Sequence, residues 1–415
     1  MPPVAERSLD VRADFPIFAR RRADRPLVYL DSSATAQKPQ VVIDAVAEHL
    51  SEHNANVHRG VYPLAQEADA AFEGARERIA AFTGATAQTT IFTKNATEAI
   101  NLVAYSWGRA NVGPGDAVLI TQMEHHANIV PWQMLCRERG AELRYLEVDD
   151  HGQLSPAALD AELARGDVRL VAFAHVSNVL GTINPVAEMV ARVRAAGAVS
   201  LVDGAQAVPQ LPVDMGQLDA DFYAWTGHKA VGPTGIGVLH GRRELLEEME
   251  PFLTGGDMIA SVDFQAATWN ELPWKFEAGT PMVAEAVGLA AAVDYLADLG
   301  MDRVREHERA LTDYMLEGLA TVPGLRTVGP PRAQDRGGLA SFTIDGLHPH
   351  DIAELVGREG VCIRAGHHCA QPLMRCLGVA ATARASLGVY NDRADVDALL
   401  GALLSARDVF ALDAA

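Results

Sequence analysis

The chain has 415 residues, 49% of them from the aliphatic, aromatic and cysteine set and 21% charged, with a net charge of −19 at neutral pH. That balance belongs to a globular protein with core enough for two or three domain-sized units, and it excludes disordered, collagen-like and coiled-coil chains. The acidic surplus also argues against a nucleic-acid partner, because non-specific binding needs cations to neutralise phosphates.

From about residue 28 to about 240, strand and helix patterns alternate. LVYLD (27–31) is a short apolar run ending in Asp, and VVIDAVAEHLSEH (41–53) has helical spacing. TTIFTKNATEAINLVAYSWG (89–108) reads as strand, turn and amphipathic helix. Strand-length apolar runs follow at 117–121, 143–148, 169–177 and 198–203, then the aromatic ADFYAW and finally GIGVLHG (235–241). This alternation predicts βαβ units: a mostly parallel sheet flanked by helices. After about residue 285 the pattern changes to two long helices (284–300 and 302–322), a strand (340–346), an amphipathic stretch (351–360), VCIRAG (361–366) and a last helix from about 394. The division expected is a large α/β domain over 27–285 and a smaller α+β domain formed by 1–26 and 286–415.

Ligands of an open parallel sheet bind beyond the carboxyl ends of its strands. Four such ends carry chemically useful residues: Thr97-Glu98, Glu124-His125-His126, Ser177-Asn178 and Asp203-Gly204-Ala205-Gln206. A fifth, Thr226-Gly227-His228-Lys229, precedes the glycine-rich GPTGIG. Asp203 ends an apolar run, so its carboxylate is expected to be partly desolvated. It reads as a turn or cap residue, or as the partner of a pyridinium nitrogen in pyridoxal phosphate. Lysines are mostly solvated, but one with a lowered pKa forms a Schiff base with an aldehyde cofactor, and Lys229 together with Asp203 is the pair such an enzyme needs. The turn at Ala96 and Thr97 offers backbone N–H groups to a phosphate, with Thr226 and His228 as further donors.

The four cysteines are too dispersed for a disulfide framework. Cys369 stands out within Arg364-Ala365-Gly366-His367-His368-Cys369-Ala370-Gln371-Pro372, where nearby cations favour the nucleophilic thiolate. Arg384 can clamp a carboxylate in bidentate fashion or form a structural ion pair. Neither Glu124-His125-His126 nor His367-His368-Cys369 has recognisable zinc spacing, so no metal is expected. MPPVAERSLDVRADF places charges where a signal peptide has its apolar region, and no run approaches a membrane span. The chain therefore reads as cytoplasmic, without a membrane partner.

The ordered set NVHRGVY (56–62), NATEAINLVA (95–104), MEHHANIVPW (123–132), HVSNVLGTINPV (175–186), LVDGAQAVP (201–209), WTGHKAVGPTGIGVL (225–239), FLTGGDMI (252–259), FEAGTP (276–281) and RAGHHCAQPLM (364–374) closely resembles the type II, SufS-like cysteine desulfurases of the class V aminotransferase family. The resemblance implies the pyridoxal-phosphate-dependent transferase fold of type I, a homodimer, and conversion of L-cysteine to L-alanine. The sulfur would be held as a persulfide on Cys369 and passed to an acceptor protein of the SufE or SufU kind for iron–sulfur cluster assembly. By the same resemblance Lys229 would carry pyridoxal phosphate, Asp203 would pair with its ring nitrogen, His125 would stack on the ring and assist proton transfer, and Gln206 would meet the ring hydroxyl. Ala96, Thr97, Thr226 and His228 would hold the phosphate, and Thr280 would reach the cofactor of the partner subunit. Asn178, Arg384 and Arg364 would bind the substrate's amino-acid portion. The short loop around Cys369 implies slow unaided turnover. Thr226 stands where many relatives have Ser, and Thr254 where Gly is common.

A selenocysteine lyase would use nearly the same residues. An acyl-transfer enzyme built on Thr226 and Lys229 would leave Asp203, His125 and Cys369 without a role, and a sulfur carrier without cofactor would leave Lys229 and Asp203 unused.

Overall fold

The computed structural model describes residues 9–22 and 25–409. Its centre is a seven-stranded sheet of β1 (Thr90–Thr93), β2 (Ala117–Thr121), β3 (Glu142–Leu146), β4 (Val168–Ala174), β5 (Val199–Asp203), β6 (Phe222–Thr226) and β7 (Gly237–Gly241), in the order β1-β7-β6-β5-β4-β2-β3. All neighbours are parallel except those of β7, which runs antiparallel to both β1 and β6. The two reversals leave β1 pointing the same way as β6. The carboxyl ends of β1, β2, β4, β5 and β6 therefore open on one edge of the sheet.

The continuous apolar runs arise because both faces are covered. Leu119, Val171, Phe173, Val202 and Trp225 face a core shared with helices Gln40–Glu52, Pro63–Phe82, Val186–Ala195 and Val283–Leu299. Val118, Ile120, Leu170, Ala172 and Leu201 face a second core with Ala96–Val103 and Val130–Arg139. Each such buried aliphatic or aromatic side chain contributes roughly 1.5–3 kcal/mol relative to exposure. The amphipathic helix expected to reach residue 108 ends as Ala96–Val103 and continues through a π-helical turn, Ala104–Gly108.

A second, antiparallel sheet orders Leu325–Val328, Leu339–Ile344, Thr382–Ser386 and Arg364–Gly366 side by side. Helices Met301–Ala320, Pro349–Arg358 and Arg393–Val409 cover it through Leu311, Met315, Ile352, Val356, Leu399 and Leu403. Thr382–Ser386, which carries Arg384, has no counterpart among the expected strands.

Packing departs from the expected division in two places. Val28–Tyr29 pairs in parallel with Val361–Cys362, so the first apolar run joins the C-terminal unit and not the large sheet. Helix Val283–Leu299, assigned from the sequence mostly to the small domain, buries Ala286, Leu289, Val293 and Leu296 in a core of the large sheet. This helix, rich in alanine with Glu285, Asp294 and Asp298 interspersed, has only a weak apolar stripe, and its neighbours decide where it packs. The N-terminal segment, described from residue 9, spans both units: Phe15 meets Tyr295 and Tyr390 edge-on, and Arg12 bonds Asp395 at 2.8 Å. Residues 1–8 lie outside the described residues. No helix among the described residues is long and apolar enough to cross a membrane.

Candidate active site at the carboxyl edge of the sheet

The strand ends enclose a cavity of about 170 Å³ lined by Ala96, Thr97, His125, Asn178, Asp203, Gln206, Thr226, His228, Lys229, Arg364 and Arg384, together with Ser33 and His368. Of the residues to which the resemblance gives a role with cofactor or substrate, Cys369 and Thr280 are the two that are not part of its lining. Thr280 is exposed, away from this cavity.

At the end of β1, Asn95 caps helix Ala96–Val103 by accepting the Glu98 N–H at 2.9 Å. The N–H groups of Ala96 and Thr97 then remain without intrahelical acceptors. Gly237 on β7 is required here, since a Cβ on it would stand 2.4 Å from the Asn95 carbonyl carbon. Across the cavity, the buried Thr226 hydroxyl makes no hydrogen bond. Orphaned donors and a helix N-terminus make a cradle for an anion.

At the end of β5, Asp203 is buried and its carboxylate accepts one hydrogen bond, from the Ala205 N–H at 3.0 Å. Burial pushes its pKa up, with the Ala205 bond and Lys229 opposing. A cationic ring nitrogen would supply the compensation that the protein withholds. Lys229, in the turn after β6, is pulled down to about 8, chiefly by burial and then by Arg384 and Arg364, while Asp203 works the other way. About a tenth of its amine is therefore neutral and nucleophilic at pH 7, far more than for an ordinary lysine. Gln206 donates to the Ser33 carbonyl at 2.9 Å, which holds its amide at the cavity wall.

His125 accepts the Ala127 N–H on Nδ1 at 3.1 Å, which places the neutral ring's proton on Nε2. Burial, with Lys229 and other nearby cations, depresses it to about 3. It faces the cavity as an uncharged ring. His126 turns away: its Nε2 accepts the Gln371 N–H at 3.0 Å and its backbone N–H donates to the Cys369 carbonyl at 2.7 Å. Asn178 donates to the His368 carbonyl at 2.6 Å. The loop bearing Cys369 is thus tied to the ends of β2 and β4.

Cys369 is half-buried and, with His368, occupies the left-handed region at φ 57 and 52. Two successive non-glycine residues held there mark a locally strained loop. Its sulfur is near enough to Lys229 and Arg384 to raise the pKa of both when charged. His368, lowered to about 3 by burial and two arginines, is neutral and is not among the cationic neighbours expected there. Arg384 is 1% exposed. It donates to the Asn178 carbonyl at 2.8 Å and to Asp31 at 3.3 Å, and its Nε has no partner.

Sequence reading gave no role to two supporting residues, Asp31 and Glu124, although Glu124 stood in one of the strand ends it named. Asp31 belongs to an N-terminal run that reaches Arg384 only through pairing with the second sheet. Glu124 is fully buried and accepts from Thr121 at 2.5 Å, Asn128 at 2.6 Å and the Ala174 N–H at 3.0 Å. Burial pushes it up to about 8. The adjacency of Glu124 to two histidines was its only signal. Among the described residues no group of three or more His, Cys, Asp or Glu is arranged to hold a metal ion.

An open sheet with a buried Lys–Asp pair facing an anion cradle defines the fold type I class of pyridoxal phosphate enzymes. The class-V aminotransferase model matches residues 28–399. A probable cysteine desulfurase of Halobacterium salinarum is 52% identical over 403 residues, 97% of each chain. The apo cysteine desulfurase of Thermococcus onnurineus NA1 superposes with a TM-score of 0.91 at 37% identity, covering 98% of both chains. Escherichia coli CsdA, a cysteine desulfurase solved in an S-sulfonic acid form, does so at 0.88 and 41% identity, covering 96% of this chain and 98% of that one. The chain belongs to the class-V aminotransferase family, and within it to the pyridoxal-phosphate-dependent cysteine desulfurases.

Proposed function

We propose that this enzyme converts L-cysteine to L-alanine, holds the sulfur as a Cys369 persulfide and delivers it to an acceptor protein of the SufE or SufU kind for iron–sulfur cluster assembly. The observation that carries this reading is the tether between the Cys369 loop and the cavity: His126 N–H to the Cys369 carbonyl, and Asn178 to the His368 carbonyl.

Bound pyridoxal phosphate supplies an aldehyde for the substrate amine and a ring that accepts the electron pair released at Cα. Ala96 and Thr97 N–H groups, the Thr226 hydroxyl and His228 hold its phosphate. Asp203 would keep its ring nitrogen protonated, Gln206 would meet the ring hydroxyl and Lys229 would anchor it. The neutral Lys229 amine then takes the Cα proton. His125, which lines the cavity, would lie against the ring and offer Nε2–H to the reacting groups. Arg384 binds the substrate carboxylate, helped by Arg364 and by Asn178. Cys369 thiolate attacks the substrate sulfur: an S–S bond forms as the C–S bond breaks, the C–S electron pair passes to the three-carbon remainder, and that remainder leaves as alanine after taking one proton at Cβ and one back at Cα.

The homodimer, with Thr280 reaching the neighbouring site, is part of the same reading. Exposed Tyr105, Val130 and Met134 beside the cavity support it, since grouped apolar side chains mark interaction surfaces. We also propose a cytoplasmic location and a division into a large α/β unit and a smaller α+β unit, with Val28–Tyr29 counted in the smaller unit and helix Val283–Leu299 in the larger.

The test is to incubate the holoenzyme with L-cysteine, assay alanine and locate added sulfur by peptide mass. Stoichiometric alanine with one extra sulfur on the Cys369 peptide is expected, and Cys369→Ser should remove both. Alanine production undiminished in Cys369→Ser would overturn the persulfide reading. Failure of SufE and SufU proteins to accelerate turnover would overturn the acceptor assignment.

A further inference from the structure

Behind Lys229 lies a second, smaller cavity of about 20 Å³, lined by Ser32, Gln206, Gln210, Glu308 and Tyr390 as well as by Lys229 itself. That exceeds the roughly 10–15 Å³ needed for one water molecule, and the polar lining supplies the partners a buried water requires. Glu308 belongs to helix Met301–Ala320, is 3% exposed, and its Oε2 has no hydrogen-bond partner.

The neighbouring groups are otherwise engaged. Arg305 donates to the carbonyls of Ala333, Gln334 and Arg336. His307 is held between the Leu9 N–H and the Asn391 carbonyl. The Tyr390 hydroxyl pairs with Ser32 at 2.7 Å and accepts the Gln37 N–H. Gln210 accepts the Gly338 N–H at 2.6 Å and donates to the Gln206 carbonyl at 2.5 Å. Glu308 Oε2 stands so close to Gly338 that a Cβ there would lie 2.7 Å away. A dry carboxyl with an unused oxygen in this position would carry the full desolvation penalty.

We propose that this cavity is a built site for one internal water, held by the Glu308 carboxyl, through which Glu308 and Lys229 exchange protons. Only protons move. The Lys229 ammonium gives one to the water as the water gives another to the Glu308 carboxylate, and the reverse transfer restores both. Burial supports the exchange by moving the two groups toward each other, Glu308 up to about 8 and Lys229 down to about 8. Glu308 touches neither substrate nor cofactor. It is a positioning and proton-holding residue that removes from Lys229 the proton taken at Cα. The proposal rests on Lys229 as the base of the reaction.

The first test needs no variant. A high-resolution crystal structure of the holoenzyme should show one ordered water bonded to Glu308 Oε2. Above pH 8 the infrared spectrum of the holoenzyme should show a Glu308 carboxylate band that is missing from Glu308→Gln, and L-cysteine should convert part of it to a protonated carboxyl band that shifts in D₂O. A dry cavity, or a carboxyl band that does not exchange, would overturn the proposal whether or not the enzyme turns over. The second test uses L-cysteine deuterated at Cα. Glu308→Gln should raise the deuterium retained in alanine by at least about twofold over wild type, because the label stays longer on Lys229. Equal retention in both proteins would reject Glu308 as the exchange partner, while absence of any turnover in wild type would count against the Lys229 reading instead.

Discussion

His126 Nε2 accepts the Gln371 N–H at 3.0 Å, so the residue next to the cavity's His125 holds the loop that carries Cys369. Neighbouring imidazoles thereby divide the work: one ring lines the cavity and the other braces the loop that carries Cys369.

His126→Ala should release that loop while leaving the cofactor cradle intact. Cofactor absorbance is expected to stay as in wild type while persulfide formation on Cys369 slows by about tenfold, the scale of misplacing a reacting group. Rapid-quench mass analysis of the Cys369 peptide, beside an absorption spectrum, checks both.

Lys229 titrates near 8 instead of its ordinary 10.5. Capture of added pyridoxal phosphate by the apo-protein should therefore accelerate with rising pH and level off above about 8. Between 8 and 10.5 the unfolded chain holds a proton that the folded one has lost, so this residue makes apo-protein stability rise with pH in that window. Urea unfolding of wild type and Lys229→Met across the window should show the rise in wild type alone.

Arg384→Lys keeps the charge but not the planar fork. Loss of bidentate geometry should raise KM for L-cysteine by at least about tenfold with a smaller effect on kcat. Steady-state kinetics at fixed cofactor saturation separates the two.

His58 lies between Glu73 Oε1 at 3.1 Å and Asp257 Oδ2 at 3.0 Å. The Glu73 bond, against burial and with Asp257, raises it to about 9. A histidine raised from 6.5 gives stability that is complete below 6.5 and lost as pH climbs through 9. The difference in urea midpoint between wild type and His58→Gln should shrink steadily over that interval. A difference constant with pH would show that the ring contributes packing and not charge.

Much of the site was legible because its chemistry is local. Asp203 ends an apolar strand, Lys229 follows another, and Ala96-Thr97 begins a helix; each relation lies within a few residues. The parallel α/β sheet was legible for the same reason, since apolar runs spaced by helices admit few other arrangements. Convergence was a different matter. Asp31 reaches Arg384 because residues 28–29 pair with 361–362, and Glu308 reaches the floor of the Lys229 site because helix Met301–Ala320 packs against the second sheet. Those contacts join residues about eighty to more than three hundred and fifty positions apart, where no periodicity carries information. The sequence by itself determined which side chains are chemically able to serve. Tertiary structure alone decided their environments, because desolvation and the number of remaining hydrogen-bond partners depend on what packs around a group: a lysine amine made partly neutral, a neutral His125, and a Glu308 oxygen left without a protein partner.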